Sequence, residues 1–169
     1  MSLHEIATEV SEKTIVSKQK VNKSTVLVLM GLQYIAKSYL TQQITKKNYA
    51  HFWATKIKKT YGVTNSEIVT VGLEEIEQVT SAGYNLVIDF VNHEYATRKQ
   101  FQEIAYALII DYQLVFIDTP KHERLQRREI NMKTGDESGR RVISLEQMQE
   151  FENDFELPHD TEPTIILRT

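Results

Sequence analysis

The chain has 169 residues, of which 41% are hydrophobic and 25% charged, and carries a formal net charge of −3. That size and balance suit one ordinary globular domain with a real core, and the charge argues against a globally basic nucleic-acid binder. The absence of cysteine excludes disulfides and thiolate metal sites. No apolar run approaches the roughly 18 residues that span a bilayer, and no basic-then-apolar leader opens the sequence, so a cytoplasmic protein with no membrane partner is expected.

Leu3, Ile6, Ala7 and Val10 follow helical spacing, so residues 3–13 read as a short amphipathic helix or a disordered leader ahead of the polar stretch Ser17 to Ser24. Residues 1–24 are expected to form this leader and residues 25–169 the domain. Thr25 to Met30 is an apolar run of the kind that a strand covered on both faces of a parallel sheet requires. A helix is expected to begin near Lys37. Tyr49 to Tyr61, ending at Gly62, reads as a helix carrying Phe52, Trp53 and Ile57 toward the core. Glu67 to Val71 is either a strand, by its β-branched content, or the opening of a helix capped by Thr64 or Ser66 and running to Ala82. Gly83 fits a helix C-cap before the buried strand Asn85 to Phe90. Glu94 to Tyr112 has the length and apolar content of a crossover helix, Leu114 to Asp118 is a strand that stops at Thr119-Pro120, and Thr164 to Leu167 resembles a closing strand. Strands alternating with helices predict an α/β layer fold with right-handed connections.

The segment after the first strand, Gly31-Leu32-Gln33-Tyr34-Ile35-Ala36-Lys37-Ser38, follows the phosphate-loop pattern GxxxxGK[ST] except at its second glycine, which is Ala36. In that motif backbone N–H groups surround the nucleotide phosphates, the lysine reaches the outer phosphates and the hydroxyl holds magnesium. Lys37 and Ser38 supply both side-chain roles. Ligands of open α/β sheets sit at the carboxyl ends of the strands, where Gly31, Asp89 and Asp118 fall. Asp89 either coordinates magnesium or orients an acceptor hydroxyl, or caps the next helix. Asp118 reads as a helix cap before Pro120.

Arg124, Arg127 and Arg128 lie on a predicted helix after Pro120, and a guanidinium fork matches charge spread over a transferring phosphoryl group. The alternative is a solvated face paired with Glu123 and Glu129. The segment Asn131 to Arg141, polar and containing two glycines, suits either a lid spanning about residues 124–142 or a plain surface loop. His51, Phe52, Trp53, Lys56, Lys58 and Lys59 mix aromatic and basic groups as base-stacking surfaces do, but helical spacing assigns Phe52 and Trp53 to the core. The histidines show no metal-ligand spacing.

In combination, Gly31 to Ser38 after a strand, Gly83 to Asp89 with Arg98 downstream, Phe116 to Pro120 followed by Arg127 and Arg128, and Phe151 to Pro158 resemble the small P-loop kinases of the polynucleotide-kinase and zeta-toxin group. The resemblance covers roughly residues 25–168. It implies a three-layer α/β sandwich around a mainly parallel five-stranded sheet, and transfer of the γ-phosphoryl of ATP, with Mg²⁺, to a hydroxyl of a nucleotide, a nucleic-acid end or a small molecule. By the same resemblance Gly31, Gln33, Tyr34, Ala36, Lys37, Ser38 and Arg124 would contact the nucleotide. Ser38 and Asp89 would hold the metal, and Lys37, Asp89, Arg127 and Arg128 would serve the transfer.

The chain departs from this family at two places. Family members carry an aspartate after the second strand as base for the acceptor hydroxyl, whereas the nearest counterpart, Lys46-Lys47-Asn48-Tyr49, has no carboxylate. Family loops read close to Gly-Ser-Gly-Lys where this chain has Tyr34-Ile35-Ala36-Lys37. Two non-glycine residues in left-handed geometry would cost about 2–4 kcal/mol, which is one to three orders of magnitude in nucleotide affinity if it falls on binding. Two expectations follow: a working phosphotransferase, or a degenerate relative that binds or regulates with little turnover.

Overall fold

The computed structural model describes residues 1–134 and 142–169. Ser2 opens α1 (Leu3–Ile15) with a capping box, its hydroxyl accepting from the Glu5 N–H and the Glu5 carboxylate accepting from the Ser2 N–H. There follow β1 (Thr25–Met30), α2 (Lys37–Lys46), β2 (Tyr49–Trp53), α3 (Ala54–Tyr61), α4 (Asn65–Ser81) and β3 (Asn85–Asp89). The chain continues through α5 (Tyr95–Ala107), β4 (Asp111–Asp118), α6 (Lys121–Thr134), α7 (Leu145–Asn153) and β5 (Thr164–Arg168). Of the segment expected to form a lid, residues 135–141, with Arg140 and Arg141, lie outside the described residues.

The five strands pair in the order β2-β3-β1-β4-β5, and every pairing is parallel. On one face Val26, Val28, Met30, Phe52, Leu86, Ile88 and Leu114 pack with residues of α1, α3, α4 and α5. On the other, Leu29, Val87 and Val115 pack against Leu40 and Ile44 of α2. Both faces are thus covered, as a parallel sheet with crossover helices demands. The order puts β1 between β3 and β4, so the loop after β1 emerges at the switch point of the sheet, beside the carboxyl end of β3.

Tyr49 to Trp53 is a strand, which corrects the helix expected from Tyr49 to Tyr61. It pairs in register with β3, Ala50 against Leu86 and Trp53 against Asp89. The period is two: Ala50 and Phe52 are buried on the α4 face, while Tyr49 packs with the α2-face cluster. The helix begins only at Ala54 and buries Ile57, and Trp53 is 40% exposed instead of lying in the core. The ambiguous stretch Glu67 to Val71 is helical. The Thr64 hydroxyl accepts from the Glu67 N–H and the Glu67 carboxylate accepts from the Thr64 N–H, which sets the start of α4 and outweighs the β-branched content downstream. Gly83, at φ +89°, ends the turn from α4 into β3.

Two buried charged residues stand out. Arg98 of α5 is fully buried and forks onto Glu162, Nε to Oε1 at 2.7 Å and Nη2 to Oε2 at 3.0 Å. It also donates to the carbonyls of Asn92 (3.0 Å), His93 (3.2 Å) and Leu157 (3.2 Å), which satisfies the guanidinium without water. Glu75 of α4 has no such arrangement. It is fully buried in the layer where α1 packs on α4, and neither carboxyl oxygen has a hydrogen-bond partner. The nearby Ser11 hydroxyl donates instead to the Ala7 carbonyl (2.8 Å) and Gln78 Oε1 (3.0 Å). Burial pushes the Glu75 carboxyl up to about 8, with only a weak opposing pull from Ser11.

The folded protein therefore holds a proton on Glu75 that the unfolded chain releases once pH passes the ordinary carboxylate range. Stability from this group falls as pH rises from about 4.5 to about 8 and levels off above. Glu75→Gln is expected to match the parent in melting temperature near pH 5 and to exceed it by a few kcal/mol equivalent, ~2–4, at pH 8 to 9. Thermal melts of both proteins across that range check the prediction; a constant difference at all pH values would contradict it.

Candidate active site

The loop between β1 and α2 has the backbone shape its sequence makes costly. Tyr34 and Ala36 both adopt left-handed geometry, at φ 61° each, on either side of Ile35. Alternating left-handed and ordinary residues turn successive N–H groups toward one side, the arrangement that makes an anion-binding concavity. Ile35 is buried, and a Cβ on Gly31 would lie 2.0 Å from its Cδ1 and 3.1 Å from the Ile117 carbonyl oxygen, so a side chain at Gly31 would force Ile35 to move. Ala36 caps α2 without a side-chain hydrogen bond, and the first turn of α2 carries no acid. An uncapped helix start behind such a loop suits a phosphate.

Below the loop, Lys37 reaches across to the end of β3. Its Nζ donates to the Phe90 carbonyl at 2.9 Å and lies 3.4 Å from Asp89 Oδ1. The other Asp89 oxygen faces Thr41 Oγ1 at 3.3 Å and His51 Nε2 at 3.2 Å. Thr41 also donates to the Lys37 carbonyl at 2.8 Å. Burial alone would raise Asp89, but the His51 hydrogen bond and the Lys37 ammonium outweigh it and hold the carboxyl below the usual range. Asp89 is thus a buried anion surrounded by cationic and hydroxyl groups.

Asn92, itself left-handed at φ 51°, fixes this corner. Its Nδ2 donates to the Leu29 carbonyl at 2.7 Å and to the Phe90 carbonyl at 3.3 Å, joining the ends of β1 and β3. Sequence reasoning missed Asn92 and Thr41, and it read His51 only as part of an aromatic and basic mixture, not as a partner of Asp89. An asparagine just past a buried strand is a weak signal, because asparagine tolerates left-handed backbone. His51 was hidden by the helical reading of its segment.

The three arginines part company. Arg127 comes to the loop, its Nη1 donating to the Tyr34 carbonyl at 3.1 Å. Arg128 Nε donates to the Ile143 carbonyl at 2.7 Å, and the Ile143 N–H donates to the Tyr34 hydroxyl at 3.3 Å. Tyr34 therefore ties the loop to α6 and to the chain entering α7. Arg124 turns away toward α7, with Nη2 2.6 Å from Glu152 Oε1, while its Nε and Nη1 are buried without partners. Asp118 lies near Arg168 on β5, 3.9 Å away. The structure thus gathers Gly31, Tyr34, Ala36, Lys37, Ser38, Asp89 and Arg127 around the loop, and leaves Arg124, Arg128 and Asp118 engaged elsewhere. Gln33 lies in the loop, with its Oε1 buried and without a hydrogen-bond partner. The residues that follow β2, Ala54, Thr55 and Lys56, include no carboxylate.

No protein-family model matches the chain, and no curated protein matches it in sequence. Solved structures do match in shape. A gluconokinase from Sinorhizobium meliloti 1021 superposes with a TM-score of 0.61 at 16% identity, over 89% of this chain and 84% of that one. Chaetomium thermophilum Kti12, in complex with ADP-AlF3, gives 0.64 at 13% identity, over 85% and 88%. The Mycobacterium tuberculosis APS kinase CysC, in complex with AMPPNP and APS, gives 0.56 at 13%, over 86% and 88%. The all-parallel sheet, the strand order and these superpositions agree: the chain has the fold of the P-loop kinases.

Proposed function

We propose that the chain is an ATP-dependent phosphotransferase that moves a phosphoryl group to a hydroxyl acceptor. The observation that carries this reading is the meeting of the Lys37 ammonium and the buried Asp89 carboxylate, 3.4 Å apart, directly behind a loop with anion-cradle geometry. Structural neighbours determined with AMPPNP or an ADP complex support nucleotide as the ligand. Mg-ATP fits the residues present. The backbone from Leu32 to Lys37 would receive the phosphates, and magnesium commonly takes only one or two protein ligands beside the phosphates, for which Ser38 and Asp89 suffice. Bound Mg-ATP supplies an activated phosphoryl group; the rest is positioning and electrostatics.

This chain's own groups divide that work. Lys37 offers a point charge to the outer phosphates and is held in place by Asp89 and the Phe90 carbonyl. Asp89, with its carboxyl held low, suits gripping a cation better than accepting a proton. Arg127, already at the mouth of the loop, is the arginine placed to meet developing charge on a transferring group. A loose transition state asks little of a general base, so the missing carboxylate after β2 does not by itself forbid turnover.

A binding or regulatory module without turnover is the second reading, favoured by the contacts that occupy Tyr34 and Arg127 with each other. The left-handed strain at Tyr34 and Ala36 does not favour it. Both residues hold that geometry as part of the fold, so we assign the strain to folding stability and not to nucleotide affinity, in contrast to the penalty on binding considered from sequence.

Mg-ATP at a hundred times its dissociation constant is expected to stabilise the protein by about 2.7 kcal/mol, with most of the gain lost in Lys37→Ala. Asp89→Asn is expected to remove the magnesium-dependent part of the shift and keep the magnesium-free part; thermal melts with and without EDTA read both. No shift at millimolar nucleotide would overturn the phosphotransferase reading, and a shift without any ATP consumption over a panel of hydroxyl acceptors would favour the module. Ala36→Gly is expected to raise folding stability by about 1 kcal/mol in denaturant titrations while leaving nucleotide affinity within about threefold.

A further inference from the structure

Apart from the hydrogen bond of His51 to Asp89, the flank of the crevice formed by β2 and α3 is unused by the roles above. Its exposed aromatic is Trp53, the only tryptophan of the chain, which stands at the carboxyl end of β2 in register with Asp89. His51 lies parallel to it, ring centroids 5.7 Å apart and planes 8° from each other, and the same His51 touches Asp89. A continuous path of contacts therefore leads from the crevice carboxylate out to an indole that is 40% exposed. On that indole sits Lys56, its Nζ 5.8 Å from the ring centroid.

The charge of this flank is one-sided. Between Glu12 and Glu67 the chain has no carboxylate side chain and ten lysines, although the whole protein is net negative at −3. Those lysines include Lys56, Lys58 and Lys59 on α3 and, at the other end of β2, Lys18, Lys46 and Lys47, which line a cavity of about 410 Å³ with Ser17, Gln19, Thr45 and Asn48. A polyol acceptor is gripped by carboxylates and amides that accept from its hydroxyls, and this surface offers no carboxylate of its own segment. It offers a π-face with a cation over it and further lysines, Lys58 and Lys59, on the same helix, which suit a planar ring carried on an anion.

We propose that Trp53, His51 and Lys56 form the acceptor subsite and that the acceptor carries both a nucleobase and a phosphate. The base stacks on the indole, Lys56 swings from the ring to the phosphate, and the sugar hydroxyl points back toward Asp89 and Lys37. This identification of the acceptor rests on the phosphotransferase reading, but binding at Trp53 is measurable without it. A free mononucleotide and the end of a single strand share this chemistry, and the length dependence of binding separates them.

Because Trp53 is the sole indole, its fluorescence reports the subsite directly. The probes are adenosine 3′-monophosphate, a short 5′-hydroxyl oligothymidylate and D-gluconate, each titrated into the full chain and into the Lys37→Ala variant, in which the donor cradle is silenced. Saturable quenching by either nucleotide probe in both proteins is expected, weakened about tenfold by Lys56→Ala and lowered by added salt. Tighter binding of the oligonucleotide assigns a strand end, and equal binding assigns a mononucleotide. Absence of quenching by both, or its disappearance in Lys37→Ala, overturns the subsite, as does saturable binding of gluconate alone. If Mg-ATP still stabilises the protein in that event, the phosphotransferase reading survives; if quenching occurs without a Mg-ATP shift, the subsite stands and that reading falls.

Discussion

The buried guanidinium of Arg98 is the constraint on which the site rests. Its fork onto Glu162 and its bonds to the carbonyls of Asn92, His93 and Leu157 bring together the loop after β3, the segment after α7 and the entry to β5. A buried ion pair is not in itself a source of stability, since desolvation offsets the attraction, but removing one partner leaves a bare charge inside the protein. What the pair does supply is position. With its carbonyl fixed by Arg98, Asn92 can span the ends of β1 and β3, and the Phe90 carbonyl beside it becomes a fixed acceptor for Lys37. The placement of Lys37 thus traces back to a residue on another element, α5.

The site is also an electrostatic compromise. Asp89 is buried as an anion, which is tolerable only because Lys37, Thr41 and His51 face its two oxygens. Each of those three comes from a different place in the chain: the first turn of α2, the next turn of the same helix, and β2. The cluster exists because β2 pairs with β3 at the edge of the sheet, and it would vanish if that pairing slipped by one residue, since a slip turns every side chain of the strand to the opposite face. Glu75 shows the opposite solution. With no cation acting on it among the described residues, it is buried by keeping its proton.

Much of the fold was legible because β1, β3 and β4 are apolar runs buried on both faces, a pattern that composition alone exposes. β2 was not, because it is a five-residue edge strand that runs directly into α3. Phe52 and Ile57 are both buried, one from the strand and one from the helix, and their spacing imitates a single helical face. The start of α4 was decided by the reciprocal bonds of Thr64 and Glu67, local chemistry that outweighed the β-branched run after it. Of the site, Lys37, Asp89 and Arg127 were legible as residue types at strand and helix ends. His51 and Thr41 were not, because their roles arise from tertiary pairing and leave no mark in local sequence. The separate fates of Arg124, Arg127 and Arg128 follow from helix phase against two different neighbours, which a face-sharing argument does not resolve.

The docking of α1 has a consequence for how the chain assembles. Its apolar stripe, Ile6, Ala7 and Val10, finds its partner on α4, with the whole of β1, α2, β2 and α3 lying between them in sequence. A contact of such range carries the loop-closure entropy of the intervening chain. During synthesis on the ribosome, α1 waits as an amphipathic segment without its cover until α4 has emerged. A nascent chain stalled before α4 therefore presents this stripe to chaperones.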